Sequence, residues 1–139
     1  MLRKVIDSSV AVKWVSADGE LHLQQADVLL NEVQEAKTEL YCPELSKYEI
    51  GNALWKKSLK APEAAGSLAT YYSLPITFVP ETRERAERTL ALSNQLKMTY
   101  YDASFISLAE ELDKILITDN AKHQGRAKTI KVIPLEKYK

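Results

Sequence analysis

Two short apolar runs, near opposite ends of the chain, each end on an aspartate. Val5-Ile6 runs into Asp7, and the run from Ile115 to Ile117 passes through Thr118 into Asp119. Apolar runs of this length are typical of buried strands. Their aspartates are either turn residues or carboxylates that the fold collects at one edge of a sheet.

Strand-like and helix-like segments alternate along the chain. The predicted strands cover residues 3–6, 38–42, 76–80, 115–118 and 129–135. The predicted helices cover about 8–15, 21–37, 43–60, 61–74, 81–97 and 101–113, with a short helical segment near 120–125. This alternation favours an α/β fold, in which a mainly parallel central sheet lies between two helical layers. No repeat or linker interrupts the pattern, so residues 1–139 are predicted to form a single domain.

Helical spacing also predicts which side chains face the core. The inward residues are expected to be Leu23, Ala26, Leu30 and Val33 in one helix, Ala86 and Leu90 with Leu92 or Ser93 in another, and Phe105, Leu108, Ala109 and Leu112 in a third. Pro43 is expected to open the helix that contains Glu49, since proline is favoured in the first helical turn. Trp14 and Trp55 are expected in the core or at a dimer interface.

Composition narrows the class of protein. The 139 residues are 45% hydrophobic, which is enough for one compact core, and 19 basic side chains balance 19 acidic ones. This balance argues against a broad basic surface for nucleic acid, although a local patch remains open. The single cysteine, Cys42, excludes a disulfide within the chain and a cysteine-based zinc site. The sequence shows no signal peptide and no apolar run near ~20 residues, so a cytoplasmic protein without a membrane partner is expected.

Two further acids resemble the strand-end aspartates. Asp102 stands at the start of a predicted helix, where it could instead cap the helix or complement its dipole. Glu49 shares a predicted helix face with Leu45, Asn52 and Ala53, and no cationic side chain lies on that face. A buried carboxylate in such surroundings is costly unless it is paired or binds a metal.

The four acids together suggest a cation site. In parallel sheets ligands bind outside the carboxyl ends of the strands, where Asp7 and Asp119 are expected. Four ionised carboxylates cannot share a small volume without a cation, and oxygen ligands suit Mg²⁺ or Mn²⁺. Such metals can position a water and stabilise a leaving oxygen during phosphodiester cleavage. Thr118 and Ser8 or Ser9 could hydrogen-bond a carboxylate there.

Four motifs, in order, resemble those of PIN-domain proteins, and among them the VapC-type toxins of prokaryotic toxin–antitoxin pairs. They are "VIDSSVAV" with Asp7, "PELSKYEIGNAL" with Glu49 and Asn52, "YYDASFISLAEEL" with Asp102, and "LITDNAKH" with Asp119. The resemblance covers nearly the whole chain. In many family members one residue separates the threonine from the last aspartate, whereas Thr118 here directly precedes Asp119.

The resemblance implies a fold, an activity and partners. It implies a metal-dependent endoribonuclease with Mg²⁺ or Mn²⁺ held by Asp7, Asp102 and Asp119, with Glu49 as a further catalytic residue. Thr118, Asn52 and Ser9 would support this site. It also implies a homodimer that a cognate antitoxin inhibits.

Basic and aromatic side chains beside the motifs are candidates for RNA contact. The main candidates are Lys13, Lys47 and Lys122. The further candidates are Lys56, Lys57, Arg126, His123, Tyr100 and Tyr101. A solvated lysine face explains most of the basic residues equally well. Two other functions stay open at this point: an RNA-processing nuclease outside a toxin system, and a catalytically silent binding module of the same fold.

Overall fold

Five strands form one parallel sheet in the computed structural model, which describes all 139 residues. The strands are β1 (Leu2–Ile6), β2 (Thr38–Pro43), β3 (Ile76–Val79), β4 (Ile115–Thr118) and β5 (Lys131–Pro134). They pair in the order β3-β2-β1-β4-β5, and every neighbouring pair is parallel. The predicted α/β class is therefore confirmed, with a sheet that is wholly rather than mainly parallel.

Seven α-helices connect the strands or follow them. They are α1 (Ser8–Ala11), α2 (Leu23–Gln34), α3 (Ser46–Lys56), α4 (Ala61–Ser73), α5 (Arg83–Leu96), α6 (Tyr100–Glu111) and α7 (Ala121–Gln124). A 3-10 turn at Val12–Trp14 continues α1, and another at Leu135–Lys137 follows β5. None of these helices has the length and apolar character needed to cross a membrane.

Consecutive strand residues point to opposite faces of the sheet and build two separate cores. Ile6 and Ile117 pack into one core with side chains of α1 to α4. Val5 and Leu116 pack into the other, with α5 and α6. This alternation follows from the two-residue period of a strand. It confirms the predicted three-layer α/β/α sandwich.

Pro43 does not open a helix, contrary to the sequence-based prediction. It is the last residue of β2, in register with Val79, and α3 begins three residues later at Ser46. The strand can end on proline because the next residue, Glu44, continues the ladder by donating its N–H to the Val79 carbonyl.

Two predicted helix faces are also shifted. In α2 the buried residues are Ala26 and Leu29 rather than Leu30, and in α5 they are Thr89 and Leu92, while Leu90 is exposed. Thr89 is buried because its hydroxyl meets that of Ser107 at 2.6 Å between α5 and α6. A hydroxyl pair of this kind is invisible to a periodicity that counts only apolar residues.

The two tryptophans have different surroundings. Trp14 packs against the core and donates its indole N–H to the Ala26 carbonyl at 3.0 Å. Trp55 is 75% exposed, so of its two expected positions, the core and a dimer interface, the core is wrong. Cys42 is fully buried, as a small core residue would be.

The order of the strands places the candidate site. The chain moves outward from β1 to β2 and β3, then returns to the other side of β1 for β4 and β5. The carboxyl ends of β1 and β4 therefore flank the point where the winding reverses, which is where open α/β sheets bind ligands. Asp7 follows β1 and Asp119 follows β4.

Candidate active site

Asp7 is buried at the end of β1. Its backbone N–H donates to the Ile117 carbonyl, which extends the pairing with β4 by one residue. Its Oδ2 accepts hydrogen bonds from Ser9 Oγ at 2.6 Å and Thr118 Oγ1 at 3.1 Å. Asp7 precedes α1 but its side chain makes no capping bond there. The turn interpretation therefore does not explain this carboxylate.

Burial makes Asp7 harder to ionise than an aspartate in solvent. Loss of solvent raises its pKa above the ordinary aspartate value, while the bonds from Ser9 and Thr118 oppose the rise and the nearby Asp102 charge adds to it. Neither hydroxyl carries a charge that could neutralise the carboxylate. An ionised Asp7 therefore needs a cation from outside its own hydrogen bonds.

Glu49 lies on the first turn of α3 and is half-buried. Its Oε1 accepts a hydrogen bond from Ser8 Oγ at 2.8 Å, which ties α3 to the segment after β1. Burial raises the pKa of Glu49 to about 7; the Ser8 bond lowers it, and the charges of Asp7 and Asp102 raise it. The prediction that Glu49 lacks a cationic neighbour agrees with these surroundings.

Asp102 lies in the first turn of α6. The cap of this helix is Thr99, whose side-chain oxygen accepts the Asp102 N–H at 3.1 Å. The Asp102 carboxylate is thus not the cap, and its Oδ2 lies 3.2 Å from His123 Nε2 on α7. With Asp102 and His123, a cleft of about 300 Å³ is lined by Asn120, Lys122 and Arg126.

Asp7, Glu49 and Asp102 thus form a group of interacting carboxyls that lie just after β1, on α3 and on α6. The Asp102 charge raises the pKa of both other carboxyls. No three Asp, Glu, His or Cys side chains lie close enough together in this arrangement to hold one metal ion. The donor set nevertheless has the chemistry of a Mg²⁺ or Mn²⁺ site, because it consists of carboxylate oxygens and none of the three acids pairs with a lysine or arginine; only Asp102 has a histidine beside it.

Asp119 differs from the other three acids. Its Oδ2 lies 3.0 Å from the ammonium of Lys13, whose side chain is only 1% exposed. Lys13 also pairs with Glu20 at 3.0 Å, and Glu20 pairs with Lys57 at 3.0 Å. The structure therefore brings Asp119 into a chain of ion pairs rather than into the group of Asp7, Glu49 and Asp102.

Of the remaining predicted site residues, two lie beside Asp7 and two line a different cleft. Ser9 and Thr118 contact Asp7 directly, as supporting hydroxyls. Asn52 is exposed and lines a different cleft with Lys47 and Tyr72. The Lys47 ammonium contacts Glu44 at 2.7 Å and lies over the Tyr72 ring.

The predicted RNA contacts differ in whether they are exposed and line the cleft of Asp102. Lys13 is buried and doubly paired, which does not fit contact with RNA. Lys122 is exposed and lines the cleft of Asp102. Arg126 lines it too, while donating to the carbonyls of Leu96 and Lys97 at the end of α5. The basic side of this cleft is therefore α7 and the residues just after it.

Two residues near the site were not singled out from the sequence. Glu20 accepts from both Lys13 and Lys57 and holds the loop before α2 against α3. Asn120 lines the cleft of Asp102. Glu20 gives no signal in sequence, because its partners are 7 and 37 residues away. For Asn120 the signal was its place directly after the Thr118-Asp119 motif.

Comparison with known proteins agrees with the motifs. A model of the PIN domain matches residues 4–128 of the chain. Ribonuclease VapC3 of Pyrobaculum aerophilum is 28% identical over 123 residues, which are 84% of this chain and 88% of that protein. The matched region of the family model contains all four motif acids.

Solved structures share the fold. VapBC2 from Rickettsia felis, bound to a DNA fragment from its promoter, superposes with a TM-score of 0.74 at 14% identity and covers 96% of this chain and 98% of that chain. VapC20 from Mycobacterium tuberculosis, a toxin that cleaves the sarcin-ricin loop, superposes with a TM-score of 0.60 at 15% identity. It covers 84% of this chain and 87% of that chain.

Proposed function

Because the chain belongs to the PIN-domain family, we propose that it is a metal-dependent endoribonuclease that cleaves RNA phosphodiester bonds. The observation that carries the proposal is the group of Asp7, Glu49 and Asp102. These carboxylates interact at the point where the sheet reverses its winding, and no basic side chain neutralises Asp7 or Glu49. A purely structural role gives no reason to place one buried and two partly buried acids together without a lysine or arginine partner.

Asp7 and Asp102 are the residues that would hold Mg²⁺ or Mn²⁺. Such a cation, when bound, lowers the pKa of its water and stabilises the charge that develops on the phosphate oxygens. Ser9 and Thr118 fix the orientation of the Asp7 carboxylate, since both donate to Oδ2. Asp119 was predicted as a third ligand, and its pairing with Lys13 does not support that role.

Glu49 is suited to accept a proton from the attacking water. Its Oε1 is fixed by Ser8, which leaves Oε2 for a further partner. A carboxyl with a pKa of about 7 is matched to proton transfer near neutral pH. His123 lies beside Asp102 in the same cleft. Lys122 also lines this cleft and supplies a positive charge for an RNA phosphate.

We also propose that the protein acts as the toxin of a toxin–antitoxin pair and forms a homodimer. The relatives named VapC and VapBC support the first part. An apolar cleft supports contacts with other proteins: the exposed Trp55 lines a cleft of about 750 Å³ between α3 and α4, together with Leu54, Leu59 and Leu68. Light scattering measures the mass of the purified protein, and a monomer at micromolar concentration would contradict the dimer.

Ribonuclease activity is tested with a mixed RNA pool in Mg²⁺, Mn²⁺ or EDTA. The wild type, Asp7→Asn and Asp102→Asn are compared with Asp27→Asn, which changes an exposed acid on α2. We expect cleavage by the wild type and the Asp27 variant, only with metal, and none by the other two. Equal cleavage by all four proteins, or cleavage in EDTA, would contradict the proposal.

The toxin role has its own test. Expression of the wild type is expected to arrest bacterial growth, and expression of Asp7→Asn is not. Co-expression of a small reading frame from immediately upstream of the gene should relieve the arrest. If growth continues with an active wild-type nuclease, the protein is an RNA-processing enzyme outside a toxin system.

A further inference from the structure

A cleft of about 290 Å³ lies between α3 and α6, beside the candidate active site. Tyr48 on α3 and Tyr101 on α6 both line it. Tyr48 directly precedes Glu49, and Tyr101 directly precedes Asp102. Because the Cα atoms of consecutive residues are only about 3.8 Å apart, both tyrosines stand next to candidate acids. An RNA strand whose phosphate lies at these acids therefore has a neighbouring base within reach of the cleft.

The two tyrosine rings are open to solvent. Tyr48 is 81% exposed and Tyr101 is 61% exposed. Neither belongs to one of the two hydrophobic cores. Single exposed aromatic residues are ordinary on a protein surface, but two that line one cleft form an apolar surface on which a planar group can stack. Packing within the chain therefore does not explain this pair.

The polar part of the cleft is rich in hydrogen-bond acceptors. Glu44 and Glu81 both line it. Glu44 Oε1 accepts a hydrogen bond from Lys47 at 2.7 Å, and Glu81 Oε1 accepts one from the Tyr100 hydroxyl at 2.5 Å. The second carboxylate oxygen of each acid accepts no hydrogen bond from the protein. Both oxygens are therefore available to a ligand that carries N–H donors.

The only cationic side chain that lines the cleft is already engaged. Arg85 pairs through Nε with Glu111 and donates through Nη1 to the Pro80 carbonyl at 2.8 Å. Its side chain is only 10% exposed. The cleft therefore offers two carboxylates and no free cation, which repels a phosphate but attracts a neutral group with N–H donors.

Resting on the proposed function, we propose that this cleft binds one unpaired guanine base of the RNA substrate. Tyr48 and Tyr101 supply the stacking surface, and Glu44 and Glu81 accept hydrogen bonds from the base edge. Unpaired RNA bases are commonly recognised by stacking on aromatic side chains and by hydrogen bonds to their Watson–Crick edge. That edge of guanine carries two adjacent donor groups, N1–H and the N2 amino group, whereas each other RNA base has one donor group there beside acceptors. Guanine is therefore the base that best fits two acceptors.

The experiment measures RNA binding by fluorescence anisotropy in EDTA, where the proposed metal-dependent cleavage does not occur. Each probe is a short single-stranded run of cytidines whose central nucleotide is guanosine, inosine, adenosine or cytidine. Inosine tests the amino group, because it differs from guanosine only in lacking it. The proteins are the wild type, Tyr48→Ala, Tyr101→Ala, the double variant Glu44→Gln with Glu81→Gln, and the controls Tyr72→Ala and Glu84→Gln, which change exposed residues outside the cleft.

The wild type should bind the guanosine RNA about tenfold more tightly than the adenosine and cytidine RNAs, with the inosine RNA between them. Tyr48→Ala and Tyr101→Ala should each weaken binding of the guanosine RNA about tenfold, since each removes a stacking ring. The double glutamate variant should bind all four RNAs within about twofold of one another. Both controls should match the wild type, and all variants should keep its melting temperature.

Failure of this inference differs from failure of the proposed function. If the wild type cleaves RNA with metal but binds all four RNAs equally well, or if the variants keep the preference for guanosine, the base site is overturned and the nuclease stands. If the predicted preference is found but no RNA is cleaved in Mg²⁺ or Mn²⁺, the cleft is a base-binding site and the proposed function fails. A lower mass of Tyr48→Ala or Tyr101→Ala in light scattering would assign the cleft to contact between two copies, which also overturns the base site.

Discussion

Ser8 donates its hydroxyl hydrogen bond to Glu49 over 2.8 Å, and this contact joins the segment after β1 to the first turn of α3. It fixes one oxygen of a carboxyl whose pKa burial has raised to about 7. The charged form of Glu49 is therefore disfavoured in the folded protein without metal, and this has a consequence for stability.

Replacing Glu49 by Gln should stabilise the metal-free protein at alkaline pH. The folded pKa of Glu49 lies above its unfolded value, so its favourable contribution is complete below the unfolded pKa and is lost as pH rises to about 7. At pH 8 in EDTA, Glu49→Gln should have a free energy of unfolding higher by about 2 kcal/mol, discounted for partial exposure. Urea denaturation at pH 5 and pH 8 measures the difference.

The control for Glu49 is Glu84→Gln, an exposed acid on α5. It should match the wild type at both pH values. A Glu49→Gln variant that is less stable than the wild type at pH 8 would show that the carboxylate is neutralised in the folded protein.

Glu110 should show the opposite pH dependence. It accepts two bonds of 2.8 Å from the Arg88 guanidinium, which hold the pKa of this carboxyl below its ordinary value; burial opposes the shift and a bond from Thr129 adds to it. Its contribution is therefore present above the unfolded pKa and is lost as pH falls through the folded pKa. Glu110→Gln should cost about 1 kcal/mol at pH 7, and this cost should shrink below about pH 4.

Urea denaturation at pH 7 and pH 3.5 measures the free energy of unfolding of Glu110→Gln and of the wild type. Glu87→Gln is the matched control, because Glu87 pairs with Arg83 one turn away on the same helix and both side chains are exposed. It should change stability by less than about 0.5 kcal/mol at either pH. A Glu110 effect that is equal at pH 7 and pH 3.5 would rule out the charge as its cause.

Lys13→Met should strongly destabilise the fold. The change leaves Asp119 without its ammonium partner and Glu20 with Lys57 alone, in a region where Lys13 itself is buried. We expect the free energy of unfolding to fall by about 2–3 kcal/mol. This is less than for a fully buried ion pair, because both acids remain partly exposed to solvent. The control is Lys37→Met, since Lys37 is exposed and pairs only with Glu35. Thermal melting compares the melting temperatures of the two variants. Equal melting temperatures would contradict the buried ion-pair chain.

Thr118→Val should destabilise the chain by removing one hydroxyl that serves two partners. Thr118 is fully buried, donates to Asp7 and accepts from the Asn120 backbone, so the variant leaves two polar groups with one partner fewer. The expected loss is about 2 kcal/mol in urea denaturation. The same substitution at Thr77, exposed on the edge strand β3, should stay within about 0.5 kcal/mol. A similar loss at both positions would indicate that β-branching, and not the hydroxyl, decides the result.

The local hydrophobic pattern was sufficient to predict the fold class, because most strands and helices show the residue period of their own secondary structure. The apolar runs in β4 and at the end of β1 place apolar side chains on both faces of the sheet, which a strand between two helical layers requires. The pattern failed where burial depends on polar pairing, as for Thr89 against Ser107, and where a proline ends a strand instead of opening a helix. Neither Leu90 nor Trp55 signals its exposure, since each lies in a segment that otherwise reads as amphipathic.

For the site, sequence determined which acids are available and at which strand or helix end each one stands. Asp7 had to reach the carboxyl edge of the sheet because it directly follows a buried strand. Tertiary structure alone decided which acids meet: Lys13, more than 100 residues earlier in the chain, pairs with Asp119, so that Asp119 joins a chain of ion pairs and not the group of Asp7, Glu49 and Asp102. The direction of a side chain at a strand end depends on the charges that the fold brings beside it, and those charges come from distant parts of the sequence.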